Sequence, residues 1–287
     1  PLVVQKKDDY YEIIAGERRF RACQSLGMET IPAVIKSTSE LECDVIARIA
    51  NGSNEVVGGG VKLVDVPSVT VPGVSPYYKS GGVDHTHQYI VAKAIAMLKR
   101  DKAISFFDGS IGTLVMQYSD QPDKDDVGTA FASHFWNPDN DKNFLGFKSG
   151  TAKTRFLDNY ELAVSNYKTN RTLSYQYLGR ALHYLSDIGE PHHASNKIAV
   201  LSNHGKYESW IDENRTSFYA TSSDKYTMCT TNSLTTIFKN LAVNSKSYAS
   251  AVGNKDNWTT VARGTLPMTQ KYVAGILYRF LKDVGAI

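Results

Sequence analysis

In the stretch His183-Tyr184-Leu185-Ser186-Asp187-Ile188-Gly189-Glu190-Pro191-His192-His193-Ala194-Ser195-Asn196, a histidine and an aspartate stand four residues apart, shortly before Gly189 and Pro191. The apolar spacing over Leu173–Leu185 predicts a helix ending near that glycine and proline, so His183 and Asp187 project from one face. His204 and Glu208 repeat the spacing on the next helix, and His193 follows Pro191 in the turn between. A histidine and a carboxylate one helical turn apart form a chelating pair for a borderline cation. One such pair is an ordinary surface partnership. Two pairs flanking a third histidine, with no thiolate competing, point to metal.

Composition narrows the classes outside that stretch. The chain has 287 residues, 42% of them hydrophobic, enough to bury a full core. Its 32 Lys+Arg against 29 Asp+Glu leave a net charge of +3, too weak a bias to argue for nucleic acid. Three scattered cysteines, Cys23, Cys43 and Cys229, make neither a disulfide framework nor a cysteine-rich zinc finger, so a metal site must use His and carboxylates. No apolar run approaches the roughly 18–20 residues that span a bilayer. The sequence opens at Pro1 with no basic–apolar–small signal peptide.

The histidines divide the chain. All seven, and all three tryptophans, lie after Gly81. There the pattern is helical, with Tyr89, Ile90, Ala94, Met97 and Leu98, then Phe156, Tyr160, Ala163 and Tyr167, at helix spacing. Tyr207–Asn214, Leu234–Leu241 and Tyr272–Leu281 complete a mostly α domain over 81–287, and aromatics at these spacings read as core. Residues 52–80 are rich in Gly, Val, Pro and Ser (Gly58-Gly59-Gly60, Pro67, Pro72, Pro76) and read as a linker. Residues 1–51 read strand–turn–helix–strand: Leu2–Val4 and Tyr11–Ile14 as strands, Glu17–Leu26 as a helix closed by Gly27, Ile31–Ile35 as a strand, Glu40–Asn51 as a helix. Gly16-Glu17-Arg18-Arg19-Phe20-Arg21 puts arginines at a helix start, which suits phosphate as well as it suits a solvated basic face.

At those arginines the segment resembles the nucleotide-binding domain of ParB partition proteins, whose Gly-Glu-Arg-Arg motif cradles the phosphates of CTP. The later Leu-Gly…Ile-Pro-Ala-Val-Ile fits as well. Only the later half of that domain is represented, so the segment is expected to be a partial α/β fragment and receives no function.

The histidine-rich half resembles the bacterial zinc-dependent phospholipases C, the family of the lecithinases and clostridial alpha-toxin. The resemblance rests on His183–Asn196 and on Thr86-His87-Gln88-Tyr89-Ile90-Val91, Ser133-His134-Phe135-Trp136-Asn137-Pro138-Asp139-Asn140 and His204-Gly205-Lys206-Tyr207-Glu208, in the family's order, with Ala274–Leu281 similar to the last catalytic helix. It implies a mostly α-helical zinc phosphodiesterase, secreted, that acts on phospholipid at a membrane or micelle surface and releases diacylglycerol and a phosphorylated head group. The implied metal ligands are His87, Asp120, His134, His183, Asp187, His193, His204 and Glu208. Asp120, placed by its distance before His134 and by Tyr118-Ser119-Asp120, is also the implied general base. Where the family has small or polar residues, this chain has Ser186 and Gly189. Gln121 stands where the lecithinases have an aromatic that holds choline, leaving Phe131 as the expected aromatic wall of the substrate site. His85 and His192 are expected to be second-layer or surface histidines.

Family members hold one of three zinc ions through the free amine of a first-residue Trp. Gly73–Tyr77, where counting back from His87 leads, contains no Trp. An internal amide nitrogen cannot replace an amine, so two firm zinc ions are expected, with the third, on His87 and Asp187, weak unless Asp84 or His85 completes it. Nothing corresponds to the lipid-binding domain that some members carry, so a single-domain lecithinase is the expectation. Two rivals remain. A single-strand-specific zinc nuclease of the same fold often ends its ligand set with His-x-x-x-Asp, against His204-x-x-x-Glu208 here. A ParB-like nucleotide-binding partition protein lacks its DNA reader.

Overall fold

A computed structural model of the chain describes residues 2–6, 11–15, 20, 23, 31, 33–36, 85–126 and 128–287. It divides into two compact units, residues 1–74 with 126–131, and residues 75–125 with 132–287. In the first unit, β1 (Leu2–Lys6), β2 (Tyr11–Ala15) and β3 (Ala33–Lys36) form one sheet in the order β2-β1-β3. β1 runs antiparallel to β2, with Gln5 opposite Glu12, and parallel to β3, with Val4 opposite Ile35. Leu2, Val3 and Val4 are buried, as a central strand requires. The expected helices at Glu17–Leu26 and Glu40–Asn51, the Gly16–Arg19 turn and the linker at 52–80 lie outside the described residues, Phe20 and Cys23 excepted.

The second unit is built from helices: α1 (Thr86–Lys102), α2 (Ser110–Tyr118), α3 (Gln121–Asp125), α4 (Ala152–Asn166), α5 (Arg171–Ile188), α6 (Pro191–Ser195), α7 (His204–Asn214), α8 (Tyr226–Thr231), α9 (Leu234–Lys246) and α10 (Trp258–Asp283). α5 is the central helix. Every residue from Ala181 to Ile188 is buried, polar ones included, which marks a core helix rather than an amphipathic surface one. Its start is fixed by Asn170, whose side chain accepts a hydrogen bond from Leu173 N. α4, opened by a reciprocal Thr151–Thr154 capping box, packs along it. Phe156 stacks on Phe238 of α9 at 5.2 Å, and Trp136 meets the same ring edge-on.

Two glycines let α5 sit this deep. A Cβ on Gly179 would lie 2.7 Å from Tyr118 Cβ of α2. One on Gly189, the residue that ends α5, would overlap Thr269 Oγ1 of α10 and lie 2.8 Å from its Cγ2. α10 reaches back to Trp258, well before the expected Tyr272, because it continues through Pro267. The turn expected around His193 is the short helix α6, with Pro191 in its first turn and the Glu190 carboxylate accepting from the backbone N–H of His192 and His193.

Candidate metal centre

Four elements bring the first group of donors together. α5 supplies His183 and Asp187, the start of α1 supplies His87, a 3-10 turn ends on His134, and α3 supplies Asp123. All five side chains are buried or nearly so. Asp187 Oδ2 lies 2.8 Å from His134 Nδ1 and 3.1 Å from His183 Nε2, while its Oδ1 lies 3.5 Å from His87 Nε2. His183 donates Nδ1–H to the Ser119 carbonyl at 2.7 Å, which turns Nε2 inward as a lone-pair donor for a metal. The rings of His87 and His183 stack at 4.1 Å.

The second group is formed by Glu190, His193, His204 and Glu208, all buried. Glu208 Oε1 lies 3.1 Å from His193 Nε2 and 2.9 Å from His204 Nε2, the latter across one turn of α7. His193 donates Nδ1–H to the His134 carbonyl at 2.8 Å, again aiming Nε2 at the site and tying the two groups through one residue. Glu190 Oε2 comes within 3.8 Å of His204 Nε2. Behind it, His192 donates Nδ1–H to Glu190 Oε1 at 2.6 Å and Nε2–H to Asn203 Oδ1 at 3.0 Å, while Asn203 Nδ2 donates to the Val252 carbonyl. Phe135 stacks on His193 at 4.5 Å, and Tyr184 packs edge-on to His183.

Burial and neighbouring charge set the proton distribution. Burial, reinforced by His183, drives His87 well below the ordinary imidazole range. Burial also opposes charge on His183, yet Asp187 and Asp123 outweigh it and hold the ring at about 9. Burial opposes ionisation of Asp187, but His183, His134 and His193 keep it well below the usual carboxylate range. In the second group burial pushes Glu208 up to about 8 and His204 down to about 3. Glu190 is held at about 2 against burial by His192.

These donors fit zinc. They are imidazoles and carboxylates with no thiol, and Asp187 Oδ1 and Glu208 Oε2 are buried oxygens that make no hydrogen bond. Leaving such oxygens unsatisfied costs roughly 1–3 kcal/mol each, which a cation removes.

Of the residues expected from sequence, His87, His134, His183 and Asp187 meet in the first group, and His193, His204 and Glu208 in the second. Asp120 is buried next to them, its Oδ2 accepting from Gln88 Nε2 at 2.6 Å, but it belongs to none of the clustered groups among the described residues. Phe131 is buried and lies in the first unit. His85 is bound at 2.9 Å to Asp212, whose other oxygen accepts from the Thr86 backbone and hydroxyl and so anchors the start of α1 to α7. Asp84 lies outside the described residues. His192, read as second-layer or surface, is fully buried behind the second group. Asp123 and Glu190 are absent from the expected set. Asp123 falls three residues beyond Asp120, and Glu190 sits in the quoted stretch itself.

Known proteins resemble this chain in sequence and in fold. The family described as "Zinc dependent phospholipase C" matches residues 86–261, and the ParB N-terminal domain family matches residues 1–52. A phospholipase C of Clostridium perfringens is 30% identical over 255 residues, covering 73% of this chain and 62% of that protein. One from Bacillus cereus is 36% identical over 103 residues, 34% of this chain and 36% of that protein. The solved alpha toxin of Clostridium absonum superposes with a TM-score of 0.64 at 25% identity, covering 72% of this chain and 66% of that one. The chain thus spans less than two thirds of the length of these relatives.

Proposed function

The chain belongs to the zinc-dependent phospholipase C family, and we propose that it hydrolyses the phosphodiester of phosphatidylcholine-like glycerophospholipids to diacylglycerol and a phosphorylated head group. What carries this reading is the convergence of two buried His–carboxylate groups on the helices α5 and α7. The proposed ligands are His87, Asp120, His134, His183, Asp187, His193, His204 and Glu208, for two or three zinc ions. Zinc, when bound, supplies positive charge for the phosphate oxygens and acidifies water.

The chain's own residues do the rest. The carbonyls of Ser119 and His134 fix the tautomers of His183 and His193, so that both rings present Nε2 without rearranging. Phe135 and Tyr184 wall the imidazoles with apolar surface, which strengthens every charge interaction inside. Asp120 is the proposed general base, oriented by the amide of Gln88 on its Oδ2. Action at a membrane or micelle surface and an extracellular location belong to the same proposal; among the described residues no helix is long and apolar enough to cross a membrane.

The test is a substrate panel of phosphatidylcholine, other phospholipids and single-stranded DNA, each with and without chelator. Release of a phosphorylated head group that chelator abolishes and zinc restores is the expected result. Chelator-sensitive cleavage of the DNA, with phospholipids untouched, would transfer the fold to a nuclease instead.

A further inference from the structure

The two aspartates of the first group are arranged alike around the three histidines. Asp187 divides its oxygens, with Oδ1 facing His87 Nε2 and Oδ2 facing His134 and His183. Asp123 divides its own the same way. Its Oδ2 lies 3.8 Å from His87 Nε2, and its Oδ1 lies 3.4 Å from His183 Nε2 and 3.7 Å from His134 Nδ1. The side chain of Asp123 is 6% exposed, although the neighbouring Asp125 on the same short helix is 41% exposed and pairs with Arg180. A carboxylate buried against three imidazoles is costly unless cations accompany it.

We infer that Asp123 is a second bridging carboxylate of this centre. It spans two cations opposite Asp187, one ion held by His87 and one oxygen of each aspartate, the other by His134, His183 and the remaining oxygens. The first ion then gains three protein ligands from α1, α3 and α5, a set that needs no terminal amine. This rests on the zinc reading of the site but not on the reaction performed there.

Full-length protein stripped of metal and reloaded with zinc provides the test. Zinc per chain is measured by mass spectrometry, and affinity by competition with a chromogenic chelator. Asp123→Asn is expected to lose about one equivalent and to weaken the first group's remaining ion by roughly 10–100-fold, matching His87→Ala in stoichiometry, with unchanged circular dichroism. An Asp123→Asn chain that keeps wild-type zinc content and affinity overturns the inference, whatever its activity. Should that variant fail to fold, zinc anomalous scattering from crystals of the loaded wild-type chain decides. Two ions with an Asp123 oxygen about 2.0–2.2 Å from each support the bridge, and ions that leave Asp123 outside that range overturn it. Zinc bound as described in a chain that cleaves no phospholipid would defeat the proposed function and leave this inference standing.

Discussion

The two groups use the same donor types and distribute their protons in opposite ways. In the first, Asp187 stays ionised and His183 is carried up to about 9. In the second, His204 is driven down to about 3 and Glu208 up to about 8. Both groups are buried, so desolvation alone does not separate them. The difference lies in what each carboxylate faces. Asp187 and Asp123 face the ligand imidazoles directly, whereas the charge of Glu190 is engaged by His192 and two backbone N–H groups. Glu208 is left near a second acid without a full counter-charge.

The sharpest way to break the comparison is Asp187→Asn. A neutral amide is a poor zinc ligand, so hydrolysis should fall by at least about 100-fold, with zinc lost from the first group and kept by the second. Reaction rates on phosphatidylcholine together with zinc content measure this, and wild-type values for both would refute the ligand assignment. Next in size is metal removal. Binding at about 1,000-fold excess over Kd stabilises by about 4 kcal/mol, so stripping should lower Tm on the order of 10 °C. A calorimetric scan with Tm unmoved would reduce both groups to peripheral sites.

Proton release sharpens the contrast further. At pH 7 His183, at about 9, and Glu208, at about 8, both hold protons that zinc must displace, while His204, at about 3, holds none. Zinc affinity should therefore rise with pH through neutrality and level off above pH of about 9, with about one proton released per group. Titration calorimetry in buffers of different ionisation heat reads that number; zero protons would contradict the assigned distribution. The smallest effect is expected of Glu190→Gln, which weakens the cap of α6. A stability loss of about 0.5–2 kcal/mol should appear in thermal melts, with second-group zinc affinity reduced and first-group affinity unchanged.

The paired histidine and carboxylate donors on α5 and α7 were legible because helical periodicity alone puts residues four apart on one face. His87 and His134 became legible through the ordered motifs around them, and the strands of residues 2–36 through their β-branched runs. Asp123 and Glu190 were not, since each sits on or beside a five-residue helix, too short to show a periodicity of its own. The same holds for His192, whose burial depends on Asn203 and α7, and for the unbroken length of α10 through Pro267. Asp120 was legible as an acid near the site, but its hydrogen bond to Gln88 depends on how α1 lies against the end of α2.

The close approach of Gly189 to Thr269 ties two distant positions together in sequence change. Thr269 is fully buried, and its hydroxyl is fixed on the Thr265 carbonyl, so it cannot swing aside for a neighbour. A sequence of this fold with a side chain at 189 must give up volume at 269. Substituting 189 alone would move the end of α5 off α10 and carry Asp187, two residues back, out of register with its histidines. Position 269 is therefore a compensating site for the metal centre, although it touches none of the ligands.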